Sequence, residues 1–96
     1  MTYQIEFPDF DPTTMPDIPE GWIDVSWHND ACPCFEVPAG LFVYVDYLDP
    51  AKREMGDTVP RFSILNQATN FSTETDSWED VKEFVSNYGV DKPGPV

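Results

Sequence analysis

The densest run of reactive side chains in this 96-residue chain is Trp27-His28-Asn29-Asp30-Ala31-Cys32-Pro33-Cys34. His28, Cys32 and Cys34, with Asp30 as an oxygen donor, are ligand types that hold zinc. A structural zinc site pairs two nearby cysteines with a second ligand pair far along the chain, and here every ligand is local. A disulfide across Cys32-Pro33-Cys34 is also disfavoured. Pro33 biases Cys32 towards an extended backbone, which sets the two Cα atoms near the upper limit for bridging. The plainer expectation is two small buried thiols beside a hydrogen-bonding imidazole, with no metal or cofactor. A metal-binding structural or redox module on His28, Cys32 and Cys34 is the alternative.

A Cys–His nucleophile pair needs an orienting group and an oxyanion site as well. Gly21, Gly40, Gly56, Gly89 and Gly94 are scattered, so no glycine-rich loop supplies one. Paired carboxylates are present everywhere in so acidic a chain and discriminate nothing. No enzymatic activity is expected.

The charge distribution is the sharpest feature. Eighteen acidic residues face five basic ones, a net charge of −13. Residues 1–51 hold Glu6, Asp9, Asp11, Asp17, Glu20, Asp24, Asp30, Glu36, Asp46 and Asp49 and no lysine or arginine. Lys52, Arg53, Arg61, Lys82 and Lys92 all follow. Direct binding to nucleic acid or to an anionic membrane is therefore not expected, because both need basic contacts. No apolar run approaches the ~18 residues of a membrane span. The N-terminus has neither the basic start nor the apolar run of a secretory signal, so the expected compartment is the cytosol.

The elements that must position these groups are legible in the hydrophobic pattern. Leu41-Phe42-Val43-Tyr44-Val45-Asp46-Tyr47-Leu48 is apolar on both faces in extended form, which predicts a central strand. Cys34–Val37 precedes it across Pro38-Ala39-Gly40, so the two read as a hairpin. Arg61–Asn66 reads as a further strand beside the central one. Asp49-Pro50 predicts one capped helical turn, and Gln67–Thr73 reads as polar loop. Tyr3, Ile5 and Phe7 alternate with Gln4 and Glu6, which predicts a short strand ended by Pro8. Pro8, Pro12, Pro16 and Pro19 then forbid a long helix and predict an extended segment pinned by Phe10, Met15 and Ile18. In Gly21–Trp27, alternation puts Ile23, Val25 and Trp27 on one side of a strand. Trp22 then faces away from them, a candidate interface anchor. Trp78, Val81, Val85 and Tyr88 form a helical stripe behind Ser77, with Gly89 and Pro93 ending the helix.

These elements give one antiparallel α+β domain. Its sheet has about four strands, its C-terminal helix packs on one face, and its N-terminal segment is irregular and Pro-rich. Residues 1–21 are the extended acidic segment, 22–67 the sheet and 77–88 the helix.

A short, acidic chain with no catalytic motif resembles, in size and charge, the phage-encoded nucleic-acid-mimic inhibitors, among them anti-CRISPR and anti-restriction proteins. The resemblance implies an interaction protein that blocks a basic, nucleic-acid-handling partner. No motif carries it. Asp9, Asp11, Asp17, Glu20, Asp24 and Asp30, with Trp22, are the partner-binding residues expected from the chain's own charge pattern. An accessory protein that self-associates through exposed aromatics is the remaining alternative, and the oligomeric state stays open.

Overall fold

Alternation with period two builds the centre of the molecule. The computed structural model describes residues 2–37 and 40–88. Strands β1 (Ile23–Asp24), β2 (Cys34–Val37), β3 (Leu41–Val45), β4 (Phe62–Asn66) and β5 (Phe71–Thr75) form one antiparallel sheet in chain order. β3 is its middle strand, as the two apolar faces of Leu41–Leu48 require. Gly40 closes the β2–β3 hairpin at φ +82°, a left-handed conformation that costs glycine nothing. Pro38 and Ala39 lie outside the described residues.

The register sorts the side chains into two faces. Phe35 stands opposite Val43, and Val43 opposite Ile64, while Val37 meets Leu41 and Val45 meets Phe62. These form the covered face, and Leu41, Val43 and Val45 expose nothing. Helix α2 (Trp78–Asn87) lies over this face through Val81, Trp78, Phe84, Val85 and Tyr88. Ser77 caps it by accepting from Asp80 N at 3.2 Å. Gly89 and Pro93 lie outside the described residues. The Asp49-Pro50 turn forms as expected, a 3-10 turn over Pro50–Lys52 with Asp49 accepting from Ala51 N at 3.0 Å.

The N-terminal segment is pinned, as its apolar residues predicted. Phe10 is buried, and Met15 and Ile18 pack on the core as the segment straps across the sheet. Within this strap, residues 12–14 form a 3-10 turn capped by Asp11.

Three local expectations fail, each for a physical reason. Tyr3–Glu6 is a short helix, α1, and not a strand. Tyr3 and Phe7 stand at i and i+4, so a helical turn aims both at the core and turns Ile5 outward, 73% exposed. The strand over Gly21–Trp27 shrinks to two residues: Val25 N still donates to Cys34 O at 3.0 Å, but the return bond goes to the Ser26 side chain. Cys34 N donates to Ser26 Oγ at 3.1 Å, and Ser26 is fully buried. The polar loop expected over Gln67–Thr73 gives way at Phe71 to a fifth strand, β5. It forms because β4 offers an open edge, and Thr73 and Thr75 suit a strand with one wet face.

Candidate functional site

The phase of β1 decides where Trp22 goes. Trp22 lies on the covered side and packs edge-on against Trp78, ring centroids 5.7 Å apart. Ile23 and Trp27 are the exposed residues instead, at 60% and 45%. The expected anchor is thus a half-buried core residue, and the residues expected to be buried stand outside. A one-residue slip in phase exchanges the faces of a strand.

The six expected acids divide into two sets. Asp9, Asp11 and Asp24 hold the fold together. Tyr47 Oη donates to Asp9 at 2.7 Å, and Thr13 N and its hydroxyl donate to Asp11 at 3.0 and 2.8 Å. Tyr3 N and Ser26 N donate to Asp24 at 2.7 and 3.0 Å. The Thr13 hydroxyl, then its N–H, holds the Asp11 carboxyl below the usual range. Asp17, Glu20 and Asp30 are exposed, and their carboxylates have no hydrogen-bond or ion-pair partner among the described residues.

The cations explain why so much negative charge stays unpaired. Both arginines grip backbone carbonyls. Arg53 donates to Tyr47 O, Val59 O and Leu48 O, which closes the long β3–β4 connection. Arg61 donates to Asp46 O at 2.9 Å and to Thr14 O at 2.8 Å, tying the strap to the sheet, and lies over the Phe62 ring. Among the described residues, carboxylates meet cationic side chains only at Lys82–Glu79 and His28–Glu6. Asp46 is buried at the end of β3. Burial pushes its carboxyl up, opposed by the Tyr47 N–H and by both arginines.

His28 and the two cysteines do not converge. Glu6 Oε1 accepts from His28 N at 3.0 Å and from the imidazole Nδ1–H at 2.8 Å, the tautomer that a carboxylate partner requires. The ring bond, opposed by partial burial and aided by the His28 N–H, holds Glu6 below the usual carboxylate range. Glu6 was not legible as this partner while α1 was read as a strand. Cys32 and Cys34 are free thiols, 5% and 2% exposed. Burial pushes Cys34 up to about 12 and raises Cys32 further. Both stay protonated at neutral pH, so neither is a ready nucleophile or metal ligand. Among the described residues, no group of three or more His, Cys, Asp or Glu side chains could hold a metal ion.

A cleft of ≈ 290 Å³ opens between the strap and the end of β3, walled by Asp9, Asp11, Tyr47, Asp49 and Lys52. Its three carboxylates suit a cationic side chain better than an anion. A second depression lies along α2 at Asp80, Glu83, Phe84, Asn87 and Tyr88. Among the described residues, no helix is long and apolar enough to cross a membrane. No protein-family model, curated protein or solved structure matches the chain significantly.

Proposed function

We propose that this protein binds a basic, nucleic-acid-handling protein in the cytosol and blocks the surface with which that partner holds DNA or RNA, in the manner of the acidic phage-encoded inhibitors. One observation carries the reading: both arginines are engaged by backbone carbonyls, and the exposed carboxylates of Asp17, Glu20 and Asp30 have no ion-pair partner among the described residues. Such a surface repels itself, and a cationic partner relieves the repulsion. Attraction over roughly 10 Å at moderate ionic strength speeds encounter. Asp17, Glu20 and Asp30 are the free acids that meet the partner. Asp9, Asp11 and Asp49 line a cleft with the charge to admit a lysine or guanidinium group.

The test is capture from host lysate at low and high salt, with competition by DNA or RNA. The expected result is a basic nucleic-acid-binding protein that its own nucleic acid displaces. The triple variant Asp17→Asn, Glu20→Gln, Asp30→Asn should weaken binding about tenfold, at roughly 0.5 kcal/mol per exposed pair, with its thermal midpoint unchanged. Capture that survives high salt and ignores nucleic acid would overturn the mimicry reading.

A further inference from the structure

The face of the sheet opposite α2 follows from the register. Ile23, Glu36, Phe42, Leu65 and Ser72 form one row across the five strands. Cys34, Tyr44, Ser63 and Glu74 form the next. The loop through Ser26 and Cys32 buries the Cys34 end. Among the described residues the other end is open: the apolar residues packed on the core from α1, the strap and α2 all belong to the opposite side. Ile23 is 60% exposed, Phe42 and Leu65 are partly exposed, and Glu36 and Glu74 stand in solvent. The sheet positions of this face include no lysine or arginine.

We propose that this open face docks a basic amphipathic helix of the protein partner, an inference that rests on the function proposed above. Phe42 and Leu65 form an apolar pair with Glu36 on one side, between them and Ile23, and Glu74 beyond the other side. Exposed apolar residues bordered by charge of one sign mark an interaction surface. The sign selects the occupant. A second copy of this chain would set glutamates against glutamates between two molecules of charge −13. A helix with an apolar stripe and lysine or arginine at its flanks satisfies both features. The dimensions agree. Five strands at ~4.8 Å spacing span roughly 19 Å, the length of about thirteen helical residues. The molecule's own ten-residue α2 packs on the opposite face over β4 and β5, beside the strap and α1. Glu36 and Glu74 stand roughly 15 Å apart across three strand spacings, which calls for cations about ten residues apart on the docking helix.

Two synthetic fifteen-residue peptides of identical Leu, Lys and Ala composition test this. One carries its leucines at helical spacing on one face, and the other has them dispersed around the helix. The protein should bind the first at least tenfold tighter, with backbone chemical shifts moving at Ile23, Phe42 and Leu65. Glu36→Lys with Glu74→Lys should remove most of that preference, and the exposed Ile23→Ser should reduce it without lowering the thermal midpoint. Asp17→Lys with Glu20→Lys, on the other side of the sheet, should weaken both peptides alike. Equal affinity for the two peptides overturns the proposal, as do shifts confined to α2 or the strap. Concentration-dependent dimerisation abolished by Ile23→Ser also overturns it, because a second copy is then the occupant. If the docking face fails while the lysate capture succeeds with nucleic-acid competition, the proposed function stands and only the surface is wrong.

Discussion

At the scale of single residues, two environments make opposite chemical predictions from ordinary side chains. Cys34 is fully enclosed between Ser26 and Tyr44, and burial holds its thiol near 12. Alkylation follows the thiolate and its access. Iodoacetamide at pH 8 should therefore leave Cys32 and Cys34 unmodified in the folded protein and label both quickly in denaturant. Rapid native labelling, read by intact mass, would contradict the burial. Glu6 is shifted the other way. Its carboxyl is lowered in the folded state, so the His28 contact adds stability above the ordinary value of 4.5 and loses it as pH falls through the lower folded value. Glu6→Gln should lower the thermal midpoint at pH 6, and the difference should shrink as pH is taken below 4. A constant difference over that range would remove Glu6 as a titrating partner.

At the scale of elements, the fold depends on how the strap is held. Phe10, Met15 and Ile18 supply its apolar contacts, and Arg61 supplies the polar clamp through Thr14 O and Asp46 O. Lysine carries the same charge but not the planar fork that reaches two carbonyls at once. Arg61→Lys should cost about 2 kcal/mol, the worth of a charged group's hydrogen bonds in a half-buried site. A urea midpoint identical to the parent would mean that the apolar anchors alone hold the strap. Hydrogen exchange should quicken in residues 9–16 before it quickens in β3, because the strap opens without breaking the sheet.

At the scale of the whole molecule, charge dominates. Eighteen carboxylates and five cations leave a strong self-repulsion, and among the described residues only Lys82 and His28 stand within ion-pair distance of a carboxylate. Salt screens such repulsion, with a Debye length falling from about 30 Å at 0.01 M to about 10 Å at 0.1 M. The thermal midpoint should rise across that range, while affinity for a basic partner falls. A midpoint that drops with salt would show that ion pairs outweigh the repulsion. The same charge weighs against self-association through the open sheet face and favours a cationic occupant.

Amino-acid order alone determined the β2–β3 hairpin, the central place of β3, the β4 pairing, the Asp49 turn and α2 with its Ser77 cap. Each rests on local period, turn chemistry or capping, which neighbours in sequence decide. The strap's attachment was expected from Phe10, Met15 and Ile18, but four prolines suit a free linker equally, so its pinning was decided only by the packing of those three residues on the core. Tertiary context decided the rest. Tyr3 and Phe7 fit a strand and a helical turn equally well, and only a core on one side selects the turn. Thr73 and Thr75 become a strand only because β4 has a free edge. The phase of β1 follows from its pairing of Ile23 with Glu36 and Asp24 with Phe35, which puts Trp22 on the covered side and Ile23 outside. The net charge was readable from composition. Which acids are free was not, because the arginines' choice of carbonyls over carboxylates depends on chain segments that meet only in the folded state.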